Sequence, residues 1–238
     1  HGPALLHQFR VAGIPGRGRM TGPPPRAEAL EIPGPAGKLE AVVEDPSPAR
    51  APPAFLVVCH PHPLHGGTMS NKVVTTLARA AHAQGVPSLR FNFRGVGASE
   101  GAFDEGRGET QDALAVVAFG RQRWPDASLW LAGFSFGGVV ALRASTTRGV
   151  GVVEKLVTIA PALGRNFGSV RDISVPNCPW LVVQGDADEV IDGDLVIEWA
   201  GQLDPAPELT VLPGVGHFFH GQLGALQEAV AAFLGRTP

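Results

Sequence analysis

The sequence predicts an α/β protein, a mostly parallel central sheet of about seven to eight strands flanked by helices. Three observations carry that expectation. Short apolar runs of strand character alternate along the chain with amphipathic stretches of helical period. Gly133-Phe134-Ser135-Phe136-Gly137 stands between one such run and one such stretch. An acidic cluster and a histidine each follow directly on an apolar run, the edge where a parallel sheet gathers its site.

The elements follow in order. Residues 28–44 read as a hairpin broken at Pro33-Gly34-Pro35-Ala36-Gly37, and 54–59 as a buried strand. Residues 71–84 form an amphipathic helix, and 87–93 the next strand, with a glycine-rich loop after it. Leu114, Val117 and Ala118 recur at helical spacing within 110–124, which makes that segment a helix. Ser128-Leu129-Trp130-Leu131-Ala132 is a strand, and Gly138 to Ala144 lies on the helix beyond the serine. Further strands are expected at 155–159, 180–183 and 209–212, and further helices at 193–203 and 222–234. The sequence shows no internal repeat.

Composition excludes several classes of partner. The 238 residues suit one α/β core, with 44% apolar and 17% charged residues. The net charge of −3 and the lack of a basic run give no electrostatic basis for a nucleic-acid or anionic-membrane partner. No run approaches the length of a membrane span. Cys59 and Cys178 read as small buried hydrophobes rather than a disulfide or metal pair. With no tyrosine in the chain, no phenol is present to act as acid or oxyanion donor. Residues 1–27 are rich in Gly, Pro and Arg, lack the apolar stretch of a signal peptide, and read as a flexible extension to a single domain over 28–238. Met20 is a candidate natural start, with 1–19 an upstream or a non-native extension, and a cytoplasmic location is expected.

The pentapeptide at 133–137 carries chemistry. A serine between two glycines at a strand-to-helix turn is a nucleophile elbow. The turn is too tight for side chains at the flanking positions, and it presents the hydroxyl above the N-terminus of a helix, with its N–H groups and partial positive charge. Such a serine needs a base, and the base an orienting carboxylate. Both are found in the order that accompanies this elbow. Gly185-Asp186-Ala187-Asp188-Glu189 follows the strand at 180–183, and Gly214-Val215-Gly216-His217 follows the strand at 209–212. On the residues alone, Asp186 and Asp188 also suit a turn.

With Cys59-His60-Pro61-His62-Pro63-Leu64-His65-Gly66-Gly67, Arg90-Phe91-Asn92-Phe93-Arg94-Gly95-Val96-Gly97-Ala98-Ser99-Glu100-Gly101 and Gly216-His217-Phe218-Phe219-His220-Gly221 added, the chain resembles serine hydrolases of the α/β-hydrolase fold. Among these it is similar to small bacterial carboxylesterases related to dienelactone hydrolase, from about residue 28 onward. The resemblance implies a Ser135, His217, Asp188 triad, since the family places its acid three residues after the strand-end glycine, which selects Asp188 over Asp186 and Asp192. It implies one oxyanion donor in the backbone N–H of Phe136 and a second in the loop after residue 59. There the usual strand-end His-Gly pattern is altered by Pro61 and Pro63, which cannot donate. The N–H of His62 is favoured, with Leu64 and the Gly66-Gly67 pair as alternatives.

The implied activity is cleavage of carboxylic esters of small or short-to-medium acyl chain, with water as co-substrate. An acyltransferase, an amide or peptide hydrolase, and a non-catalytic binding protein are the alternatives. The interval from Ala160-Pro161-Ala162 to Pro179 is too short for a helical lid, so no cap domain and an open site are expected. No cofactor or metal is expected: His60, His62 and His65 read as a rigid loop beside the site rather than as ligands. His220 is a rival base, and Arg94 either meets the substrate or pairs with loop carbonyls or an acid such as Glu100 or Asp104.

Overall fold

A computed structural model of the protein describes residues 24–164 and 174–237. Its eight strands are β1 (Arg26–Gly34), β2 (Gly37–Asp45), β3 (Ala54–Cys59), β4 (Ser88–Phe91), β5 (Ser128–Phe134), β6 (Val153–Ile159), β7 (Trp180–Gly185) and β8 (Glu208–Leu212). The helices are α1 (Lys72–His82), α2 (Arg107–Arg123), α3 (Phe136–Thr146), α4 (Gly193–Gln202) and α5 (Leu223–Leu234). The strands form one sheet in the order β1-β2-β4-β3-β5-β6-β7-β8. The β1–β2 and β2–β4 pairs are antiparallel, and all later pairs parallel. β1 begins at Arg26, ahead of the expected Glu28, because Arg26 and Ala27 still find ladder partners in Asp45 and Glu44. The expectations for residues 1–19 lie outside the described residues.

The central strands are apolar on both faces because helices cover both. Along β3, Phe55, Val57 and Cys59 pack towards α2 and α3, while Ala54, Leu56 and Val58 pack towards α1 and α5. This is the period-2 alternation of a strand read against two cores. All six residues are buried, so truncating Leu56 to Ala would cost about 2–5 kcal/mol through lost transfer energy and an unfilled cavity. The Lys155 ammonium on β6 donates to the carbonyls of Leu234 and Arg236 at 2.6 Å each, holding the C-terminal end of α5 against the sheet.

Helix starts follow local chemistry. The Asn71 side chain caps α1 by accepting from the Val73 and Val74 N–H groups, and Asp192 caps α4 by accepting from Leu195 N–H at 3.1 Å. α2 starts at Arg107 rather than near Thr110, since buried Glu109 accepts from the N–H groups of Asp104 and Gly106 and so closes the first turn. Arg94 makes no hydrogen bond or ion pair with Glu100 or Asp104. Its guanidinium makes a bidentate pair with buried Asp112 of α2 at 2.7 and 3.0 Å, fixing the exit of β4.

Candidate active site

β5 ends at Phe134 and α3 begins at Phe136, leaving Ser135 alone to make the turn. It does so at φ 55°, ψ −116°, a conformation L-residues rarely adopt. Backbone bonds hold it there: Ser135 N–H donates to Ile159 O at 2.8 Å, and Ser135 O accepts from Gly138 and Ala162 N–H at 3.0 and 3.1 Å. A Cβ at position 133 would strike Gly137 O, and one at 137 would strike the carbonyls of Cys59 and His60. Both glycines are therefore required by close backbone approach. A serine at a helix N-terminus ordinarily caps it. Ser135 makes no such bond, and its hydroxyl goes elsewhere.

It goes to His217. Ser135 Oγ lies 3.0 Å from His217 Nε2, and His217 Nδ1 lies 2.8 Å from Asp188 Oδ2. The carboxylate fixes the tautomer: Nδ1–H donates to Asp188, and Nε2 is left to accept from the serine hydroxyl. The imidazole is 3% exposed, between the rings of Phe134 and Phe218 at 5.0 and 5.2 Å, and its backbone N–H donates to Glu189 Oε2 at 3.1 Å. Asp188 Oδ1 accepts from Val190 and Ile191 N–H at 2.9 and 2.7 Å, and Oδ2 accepts also from Gln184 Nε2 at 3.0 Å. Burial by itself raises the Asp188 pKa, but the bonds from His217 and from the Ile191 and Val190 N–H groups outweigh it and hold the carboxyl below its usual range.

The structure brings Ser135, His217 and Asp188 together and leaves the competing residues apart. Asp186 accepts from Gly214 N–H at 2.6 Å and ties the loop after β7 to the one after β8. Asp192 caps α4. His220 is exposed and stacks near Phe218, with no bond to the serine.

On the other side of Ser135 the chain leaving β3 runs against the first turn of α3, in the close contact at Gly137 described above. The His62 ring lies 5.1 Å from that of Phe136 and 4.9 Å from Phe103. Among the alternatives for a second N–H donor, Leu64 N–H is taken by His62 Nδ1 at 3.2 Å and Gly67 N–H by His62 O at 3.0 Å. The His62 and Gly66 N–H groups make no hydrogen bond to another described residue. The Phe136 N–H opens α3 directly after the serine. His60 is wholly buried and neutral: Nδ1–H donates to Pro61 O at 2.6 Å, Nε2 accepts from Phe93 N–H at 3.0 Å, and desolvation pushes its pKa down to about 4. With both ring nitrogens engaged it holds the loop in place. Among the described residues no group of three or more His, Cys, Asp or Glu side chains is arranged to hold a metal ion.

Sequence reasoning missed Gln184 and Glu189, the two residues that brace the acid and the histidine. Gln184 left a signal. It is the one strongly polar residue in an otherwise apolar strand, and a polar side chain there must find a partner.

The strained serine, the imidazole on its hydroxyl and the carboxylate beneath, all at one edge of a doubly covered sheet, define an α/β serine hydrolase. The comparisons with known proteins agree. A family described as serine aminopeptidase, S33, matches residues 57–176, and the chain belongs to it. An α/β serine hydrolase without lid from Xanthomonas campestris is 41% identical, with a TM-score of 0.82 over 92% of this chain and 100% of that one. A serine hydrolase homologue from Coxiella burnetii is 40% identical, with a TM-score of 0.80 over 87% of this chain and 97% of that one. A Rickettsia prowazekii protein, described as uncharacterized, is 31% identical over 84% of this chain and 86% of its own length. Among the described residues nothing forms a cap over the strand ends, and no helix is long and apolar enough to cross a membrane.

Proposed function

We propose that the protein hydrolyses carboxylic esters through an acyl-enzyme on Ser135. The observation that carries the reading is the unbroken chain from Ser135 Oγ through His217 to Asp188, at 3.0 and 2.8 Å. In the forward step Ser135 Oγ bonds to the acyl carbon and His217 Nε2 takes the hydroxyl proton. The imidazolium, steadied by Asp188, returns that proton to the departing alkoxide. Water then repeats the sequence on the acyl-enzyme, releasing the acid and restoring Ser135. The carbonyl oxygen becomes an anion twice, facing the backbone N–H groups of Phe136 and His62. Removing one such donor typically costs about 3 kcal/mol of barrier.

The family's description favours a second reading, in which the acyl group is the residue at a peptide's amino terminus. Its ammonium would need a carboxylate within reach. Glu189, exposed beside His217, is the candidate, and no described cation pairs with it. The ester reading is preferred because nothing among the described residues encloses a peptide terminus above the site. A series of p-nitrophenyl esters of rising acyl length, run beside aminoacyl p-nitroanilides and a fluorophosphonate label, separates the readings. Ester turnover with a short-chain optimum and a label on Ser135 is the expected result. Anilide turnover exceeding that of the esters would establish the peptidase, and absence of labelling would leave a binding scaffold.

A further inference from the structure

Gln184 is the penultimate residue of β7 and is wholly buried. Its Nε2 donates to Asp188 Oδ2 at 3.0 Å and to Gly185 O at 3.1 Å, two acceptors that only an amide nitrogen can satisfy, so the amide orientation is fixed. Its Oε1 is then buried with no hydrogen-bond partner among the described residues. A buried carbonyl left unpaired destabilises the fold, and an apolar side chain of the same shape would avoid the penalty. The strand around it is apolar, as Leu181, Val182 and Val183 show. Packing alone therefore argues against glutamine here, while the donor it places argues for it.

That donor meets the same carboxylate oxygen that accepts from His217 Nδ1. Asp188 Oδ1 is already held by the Val190 and Ile191 N–H groups. Without Gln184 the carboxyl could rock about those two bonds, and Oδ2 would carry its negative charge undiluted.

We propose that Gln184 is a positioning residue for the hydrolytic reaction, holding the Asp188 carboxylate on His217 and tempering its pull on the imidazolium at the expense of fold stability. The inference rests on the ester-hydrolase reading for its kinetic consequence only, since its effect on the His217 ring exists with or without turnover. The other ionisable groups near that ring are Glu189 on the backbone N–H, Asp186 on Gly214 and His220 beyond Phe218, and the test leaves all three unchanged.

The test is Gln184→Met, with Gln184→Leu as a second apolar replacement of different shape. Three quantities are measured on each: the thermal midpoint, kcat and KM on a soluble p-nitrophenyl ester across pH, and the His217 imidazole titration followed by NMR. The expected result is an unchanged or higher midpoint, kcat lower by about ten- to a hundredfold with KM little altered, and His217 protonating at higher pH. Falls of that size accompany loss of the outer hydrogen-bond partner of a metal-ligating side chain, and the Asp188 carboxylate is oriented here by the same kind of bond. The upward shift arises because a carboxylate with one donor fewer stabilises the imidazolium more. A lower midpoint with the imidazole titration unmoved would make Gln184 structural and overturn the proposal, as would wild-type kcat and titration in both variants. If the wild-type protein takes no fluorophosphonate label, the hydrolase reading fails, and the NMR titration still decides the role of Gln184.

Discussion

The two sides of Ser135 are built differently. On the base side the proposed chemistry belongs to side chains: His217 and Asp188 are hydrogen-bonded to each other, and Gln184, Glu189 and the N–H groups of residues 190 and 191 are hydrogen-bonded to them. On the oxyanion side the candidate chemistry belongs to the backbone. Side chains there serve only to aim it, with Pro61 and Pro63 setting the path and His60 clamping the loop between Pro61 O and Phe93 N–H. The base side therefore depends on which residues are present, and the oxyanion side on whether an N–H remains. Substitutions that separate identity from backbone sharpen that contrast.

The largest effect should come from Ser135→Ala, where both sides lose the atom they serve. Turnover should fall by at least about a thousandfold, towards the roughly millionfold loss seen when a nucleophile of this kind is removed, with the thermal midpoint near wild type. The ester assay with burst analysis checks it, and wild-type turnover would remove Ser135 from the mechanism. Next comes Asp188→Asn, which keeps the shape but favours the wrong imidazole tautomer and should lower kcat by up to about ten-thousandfold. Asp186→Asn should do far less, since among the described residues the Asp186 carboxylate is hydrogen-bonded to Gly214 N–H and not to His217. Reversed magnitudes would place the orienting acid at 186.

These residues were legible for a physical reason. Ser135, Asp188 and His217 each follow a strand, and a strand end is fixed by a short-range apolar pattern that a sequence displays. The acid was separable from Asp186 and Asp192 only through the family spacing. The structure gives the mechanical reason: Asp186 reaches across to the loop after β8 and Asp192 caps α4. The parallel core was legible in the same way, and the misjudged features were those decided by distant partners. Arg94 was matched with acids near it in sequence, whereas its partner Asp112 lies on α2. Gln184 and Glu189 carried no motif, because an outer partner is defined by what it touches.

The backbone side gives a more discriminating prediction. His62 has φ −54° and ψ 122°, values that proline adopts without strain. His62→Pro thus deletes the N–H while keeping the path of the loop, and His62→Ala deletes the ring while keeping the N–H. The proline variant should lose about a hundred- to a thousandfold in kcat. The alanine variant should lose less than about tenfold, through weaker packing on Phe103 and Phe136. Equal effects in kinetics on one soluble ester would show that the donor is not His62 N–H.

The smallest effect on rate, and the one that tests the clamp itself, concerns pH. His60 is neutral in the fold, with its pKa pushed down from 6.5 to about 4 by desolvation. In the unfolded chain it titrates near its ordinary value, so between those two pH values the unfolded state binds the extra proton and the folded state does not. Stability must then fall as pH drops through that window, and the full contribution is present only above it. At about 1.4 kcal/mol per unit the loss is on the order of 3 kcal/mol. His60→Gln can still donate to Pro61 O or accept from Phe93 N–H but has no proton to gain. Chemical denaturation at pH 7 and pH 4.5 should show a smaller loss in the variant than in the wild type, although its stability at pH 7 is lower. Activity above pH 7 should change little, since the clamp is already closed there. Identical pH slopes for the two proteins would mean that His60 is not held neutral between Pro61 O and Phe93 N–H.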